Sequence, residues 1–224
     1  KGAMVLSGEI GCGKSTITQR ILLDLPEDRF DTALITYSRL TPSEMLQEIC
    51  RQLGINCQTQ EKTSLLQGIQ DHLAHNADTG RSTLICIDEA QSIPSMATFE
   101  ELRLLLNFQL GDQFLASLLF VGQPELQRKI AKLPQLQQRI ALNLSLGHFN
   151  LENSMHYILH RLRKAGCARP ILTRQAIMAV HQHTEGVPRR INHLLDRCLL
   201  FGKRDSASLI DSKLVAATMH RYPC

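Results

Sequence analysis

The chain has 224 residues, enough for one large domain or for one domain with a smaller companion, and enough to bury a substantial core. At 43% hydrophobic and 21% charged residues its composition excludes disordered and fibrous classes, and no run of about 18 apolar residues is present that would span a membrane. The net charge of +4 is mild, and with no tryptophan and three tyrosines there is no obvious base-stacking platform, so nucleic acid is not the favoured partner.

The chain opens at Lys1 rather than methionine and shows no secretory leader, so it is expected to be a piece of a longer protein. Ala3-Met4-Val5-Leu6 reads as a short buried strand. It runs into Gly8-Glu9-Ile10-Gly11-Cys12-Gly13-Lys14-Ser15, the phosphate-binding loop pattern of a glycine, four free positions and Gly-Lys-Ser/Thr. Thr16 begins a helix, with Ile17, Ile21 and Leu22 expected on one face. Strand, glycine loop and helix form the context this motif needs. Glycines let the backbone turn sharply and bring bare N–H groups to phosphate oxygens, and the helix N-terminus adds its own unpaired donors. Lys14 is placed to reach the β- and γ-phosphates, and the Ser15 hydroxyl to bind Mg²⁺. Cys12 occupies a free position and reads as a spacer.

Thr32–Tyr37 reads as a second buried strand. Thr41-Pro42-Ser43-Glu44 is a helix start, with Thr41 as N-cap, Pro42 at the first helical position and Glu44 closing a capping box; the helix is expected to run to Leu53 and stop at Gly54. Thr63–His75 reads as another helix, with Leu65, Leu66, Ile69 and Leu73 on one side, and 76–81 as a turn-rich break.

Thr83-Leu84-Ile85-Cys86-Ile87 then runs without interruption into Asp88-Glu89-Ala90-Gln91, as expected of a central parallel strand ending at a site. After a phosphate loop, Asp88 is placed to hold Mg²⁺, directly or through water, and Glu89 to orient and deprotonate an attacking water. The bland alternative is two solvated acids at a strand end. Phe99–Phe108 reads as a helix, and Leu115–Val121 as a fourth strand ending at Gly122-Gln123-Pro124-Glu125. Gln123 therefore stands at the tip of that strand, facing the γ-phosphate or the water, or alternatively capping a helix from Pro124 to Ile130. Ala141–Leu146 is the fifth strand.

After Gly147 the texture becomes purely helical: Leu151–Ala165, Thr173–Thr184, Pro188–Phe201 and Asp211–Met219, with Thr173 and Asp211 as N-caps. The boundary is expected near Gly147–Asn150, giving an α/β domain over 1–148 and a helical lid over 149–224. Seven cysteines without a Cys-x-x-Cys pair argue for reduced thiols in a cytoplasmic compartment. His156, His160, His181, His183 and His193 lie on helices without a carboxylate-rich metal pattern and read as ordinary helix residues.

Five buried strands alternating with helices, followed by a small helical bundle, resemble the AAA+ ATPases, P-loop NTPases with a five-stranded parallel sheet. The resemblance narrows on Ser7–Thr16, Ile87-Asp88-Glu89-Ala90-Gln91, Leu104-Leu105-Leu106-Asn107-Phe108, Val121-Gly122-Gln123-Pro124-Glu125-Leu126 and Gly186-Val187-Pro188-Arg189-Arg190-Ile191-Asn192. Together these look like the general secretion pathway protein A, or ExeA-type, family, over nearly the whole chain. The resemblance implies an ATP hydrolase with ATP and Mg²⁺ as cofactors. It implies Gln123 as a polar sensor, Arg139 as an arginine offered to a neighbouring subunit's nucleotide, and Arg189 as a second sensor, with Arg190 beside it. Self-association into a ring or open ring, an envelope secretion partner and a cytoplasmic domain of a membrane-anchored protein are further implications, the membrane contact being made by segments outside this sequence. The family's segment ahead of the first strand, which helps hold the adenine, is not in this sequence, nor is its peptidoglycan-binding part. The competing expectations are a transposition-type ATPase that assembles on DNA and recruits a partner enzyme, and a nucleotide switch that hydrolyses little; Glu89 counts against the latter.

Overall fold

The computed structural model describes residues 2–56, 61–111 and 113–221. Cys57 and Cys224, two of the seven cysteines, lie outside them. The chain divides into two compact units, Lys1–Glu9 with Lys14–Leu146, and Ile10–Gly13 with Gly147–Cys224.

The first unit is built on a five-stranded parallel sheet: β1 (Ala3–Gly8), β2 (Phe30–Ile35), β3 (Ser82–Ile87), β4 (Ala116–Gly122) and β5 (Ile140–Leu146), in the order β2-β3-β4-β1-β5. Helices α1 (Lys14–Asp24), α2 (Pro42–Gln52), α3 (Lys62–Asp78), α4 (Met96–Leu105), α5 (Glu125–Ala131) and α6 (Pro134–Gln137) lie between the strands in sequence. Successive residues of a strand point to opposite faces, and the central strands are apolar at both sets of positions because both faces are covered. On one face Ile35, Ile85, Ile87 and Phe120 pack with Met45, Ile69, Phe99 and Leu102 of the helices. On the other, Leu6, Leu84, Cys86, Leu119 and Val121 pack with Leu22 and Leu25. Ile87 stands in register with Phe120, and Ser7 with Gly122. The carboxyl ends of β3, β4 and β1 are therefore neighbours, which is where an open parallel sheet presents a ligand site.

The expected capping box is present: the Thr41 hydroxyl accepts from the Glu44 N–H, and the Glu44 carboxylate accepts from the Thr41 N–H at 2.8 Å. Leu53 caps this helix and Gly54 follows with φ +68°. Three expectations are corrected. The inward face of α1 is formed by Lys14, Thr18 and Leu22, so Ile17 and Ile21 stand 39% and 40% exposed; spacing by four from the loop lysine, not the isoleucine pair, sets the buried stripe. The break expected over 76–81 begins later, because α3 continues to Asp78. Asn76, a residue that usually favours turns, is buried there and its side-chain amide donates to Asp31 at 2.9 Å and to the Thr83 hydroxyl at 3.0 Å. The helix expected over Phe99–Phe108 is α4, one turn earlier, because the Ser95 hydroxyl accepts from the Thr98 N–H and starts it at Met96.

The second unit holds α7 (Leu151–Lys164), α8 (Arg174–Thr184), α9 (Pro188–Arg204) and α10 (Ser212–Arg221). Asn150, Thr173 and Asp211 accept from the N–H groups of Asn153, Ala176 and Leu214, so each begins its helix with a satisfied donor. Ile158, Ile177, Val180, Ile191, Leu194 and Val215 form the core. Gly186 has φ +73°, and a Cβ there would run into the Phe149 carbonyl, so the turn before α9 requires glycine. The loop tip Ile10–Gly13 belongs to this unit, and there the Arg189 N–H donates to the Gly11 carbonyl at 3.2 Å.

Candidate nucleotide site

The glycine loop leaves β1 at Gly8, where a side chain would strike the Leu146 carbonyl of β5 at 2.7 Å. Gly11 and Gly13 have φ +85° and +97°, conformations that side chains disfavour, and they turn the chain into α1. Lys14 is only 5% exposed, yet its ammonium group donates to the carbonyls of Gly8 (2.8 Å) and Glu9 (2.9 Å). A buried cation held by carbonyl dipoles within an N-terminal helix turn is matched to an anionic ligand.

The next residue reaches across the sheet. The Ser15 hydroxyl donates to Asp88 Oδ2 at 2.7 Å, and Asp88 Oδ1 accepts from the Glu89 N–H at 2.8 Å. Asp88 is anchored by its own N–H to the Ile35 carbonyl of β2. Beneath it, burial pushes the Cys86 thiol up to about 12, and the charge of Asp88 adds to the effect, so this cysteine is an inert neutral wall.

Among the described residues there is no group of three or more His, Cys, Asp and Glu that would cage a metal. One hydroxyl and one carboxylate instead fit Mg²⁺, which keeps most of its waters and is held jointly with phosphate oxygens.

Glu89 follows in a left-handed conformation, φ 50° and ψ 35°, which turns its side chain away from the strand line. Its carbonyl accepts from the Ser38 hydroxyl at 2.7 Å. Its carboxylate accepts from the Gln91 side-chain amide at 2.6 Å and from that of Gln123 at 3.5 Å. Gln123 thus stands beside the acid; its N–H donates to the Gln91 side-chain oxygen at 3.0 Å, and its side chain does not cap α5, which begins without a side-chain cap.

Arg139 lies away from this group in the same unit. It donates to the Leu106 carbonyl at 3.1 Å and to the Asn107 side chain at 2.7 Å, at the end of α4. Arg189 and Arg190 are exposed on the first turn of α9, and Arg190 pairs with Glu185 at 3.1 Å. Ser15, Asp88 and Glu89 are therefore linked by short hydrogen bonds, with Gln123 beside Glu89 at 3.5 Å and Lys14 next to Ser15 in the chain, at the ends of three adjacent strands. Two residues with direct hydrogen bonds to Glu89, Ser38 and Gln91, carried no assigned role in the sequence. The signal for Ser38 is a polar residue just past a strand; for Gln91 it is an amide two residues after the acid.

Comparison with known proteins fits this geometry. An AAA domain profile matches residues 1–130, more than half of the chain. The chain belongs to the AAA domain family. Within it, the chain is 34% identical over 202 residues to General secretion pathway protein A of Aeromonas hydrophila, covering 89% of this chain and 37% of that protein, so it spans little more than a third of its relative's length. It is an ExeA-like member of the AAA+ group. Two solved structures share the fold at low identity: the Aeropyrum pernix ORC2 protein in ADPNP-ADP complexes (TM-score 0.72, 16% identical, covering 98% of this chain and 61% of that one) and the Thermotoga maritima RuvB Holliday junction branch migration motor (TM-score 0.68, 17% identical, 98% and 61%). Among the described residues no helix is long and apolar enough to cross a membrane.

Proposed function

We propose that this AAA domain binds Mg-ATP and hydrolyses it. The observation that carries the reading is the Ser15–Asp88 hydrogen bond of 2.7 Å beside the buried Lys14, which brings the loop and the acidic strand into one oxygen-lined site. Lys14 and the loop N–H groups hold the phosphates, and Ser15 and Asp88 hold the metal. The metal, when bound, neutralises charge on the β- and γ-oxygens. Glu89 takes the proton of the attacking water, and Gln123 orients that water. Residues 1–148 are the catalytic domain in this reading and 149–224 a helical lid, with Arg189 as the second sensor. Arg139 completes the site of a neighbouring copy in a ring or open ring, a contribution of about 10³–10⁵ in rate where such an arginine acts. The 34% relative supports a role in assembling an envelope secretion apparatus, with this chain on the cytoplasmic side of the membrane.

Titration of ATP with and without Mg²⁺ tests the reading. Wild type should bind with a Mg²⁺-dependent affinity that Lys14→Ala abolishes; equal binding by both would overturn it.

One observation favours a second reading, a DNA-assembled ATPase of the transposition type. Residues 153–184 contain no Asp or Glu but five Lys and Arg and four His, and Arg161, Arg163, Lys164, Arg169 and Arg174 are all exposed. Across residues 147–224 the sequence has twelve Lys and Arg against five Asp and Glu, a formal +7. A steep salt-dependent affinity for duplex DNA, with hydrolysis raised by that DNA, would favour this reading over the secretion role.

A further inference from the structure

We infer that Gln91 is a positioning residue that locks the base Glu89 and the sensor Gln123 into one register. The inference deepens the hydrolase reading and rests on it.

The side-chain amide of Gln91 is used at both ends. Its nitrogen donates to Glu89 Oε2 at 2.6 Å, and its oxygen accepts from the Gln123 N–H at 3.0 Å. One planar amide therefore spans the gap between the end of β3 and the end of β4. The two contacts differ in kind: one fixes the carboxylate that receives a proton, the other fixes the backbone from which the sensor side chain departs. An independent feature of the neighbouring strand agrees. A Cβ at Gly122 would lie 2.5 Å from the Gln91 side-chain oxygen, so the glycine preceding Gln123 leaves the space that this amide occupies.

The backbone of Glu89 shows why such a lock is needed. Its N–H donates to Asp88 Oδ1 at 2.8 Å and its carbonyl accepts from the Ser38 hydroxyl and the Ser92 N–H at 2.7 Å each, so the left-handed backbone is pinned, but none of these contacts touches the carboxylate. The carboxylate itself is held by Gln91 at 2.6 Å, while the Gln123 amide at 3.5 Å is at the limit of a hydrogen bond. Without Gln91 the acid is free to rotate from the direction in which a water must lie. A misplacement of about 1 Å in such a group costs about 100-fold in rate.

The test is a set of kinetic and thermal measurements on the whole chain. Gln91→Ala should lower kcat roughly 10- to 100-fold with KM for ATP unchanged. In the Glu89→Gln background the same change should have no further effect, because the group it positions is gone. Gly122→Ala should lower Tm in the wild-type background and lower it less in the Gln91→Ala background, where the opposing oxygen is absent. Gln91→Ala hydrolysing at the wild-type rate while Glu89→Gln is inactive would overturn the inference and leave the hydrolase reading standing. Equal Tm losses for Gly122→Ala in both backgrounds would also count against it. A wild-type chain that hydrolyses no ATP would remove the hydrolase reading and this inference with it.

Discussion

The Ser15 hydroxyl and the Asp88 carboxylate are joined at 2.7 Å, although 73 positions separate them in the chain. The bond ties the first turn of α1 to the end of β3, and its partners are the two hard-oxygen groups that suit Mg²⁺. Removing either should weaken Mg²⁺-dependent nucleotide binding more than binding without metal. Ser15→Ala and Asp88→Asn are each expected to lose roughly 10- to 100-fold in apparent Mg²⁺ affinity, read from ATP binding across a Mg²⁺ series.

Arg139 is held at the end of α4 by the Leu106 carbonyl and Asn107. A trans role predicts complementation. Lys14→Ala lacks nucleotide binding but keeps Arg139, and Arg139→Ala has the reverse defect. Mixed, they should hydrolyse ATP faster than either alone, and hydrolysis by wild type should rise with protein concentration. A mixture no faster than the sum of its parts contradicts the trans role.

Asp31 carries a pH dependence of folding. Burial alone would raise its carboxyl, but the hydrogen bonds from His72 and Asn76, followed by the charges of His72 and Arg81, outweigh this and hold it below its ordinary value. A carboxyl depressed in the folded state contributes stability that is present above the unfolded value of about 3.9 and is lost as pH falls through the folded value. Asp31→Asn should therefore be less stable than wild type at neutral pH, with the difference narrowing below about pH 4. Denaturant unfolding at a series of pH values checks this.

Phe99 and Phe120 meet at 5.9 Å between ring centres, both fully buried, under the strand that ends at Gly122. Phe99→Ala is expected to cost about 3–5 kcal/mol, measured as a loss of unfolding free energy in denaturant.

The local signals in the sequence translated directly into structure. The loop glycines, the Thr41–Glu44 box and the acids at the end of a continuous apolar strand are each specified within a few residues, and each forms as its chemistry demands. What escaped is long-range. Asn76 stays helical because Asp31 and Thr83, brought up by two strands, satisfy its amide. Ile17 and Ile21 stay outside because the sheet meets α1 along Lys14, Thr18 and Leu22. The role of Gln91 depends on β4 lying next to β3, a pairing no short window of sequence contains.

Whether Lys14, Ser15, Asp88 and Glu89 act as one hydrolytic site is read by phosphate release from ATP by wild type and Glu89→Gln, with nucleotide binding recorded on the same samples. Wild type should release phosphate in a Mg²⁺-dependent way, and Glu89→Gln should retain binding with release reduced roughly 10²- to 10⁴-fold. Undiminished release by Glu89→Gln would contradict a single hydrolytic site.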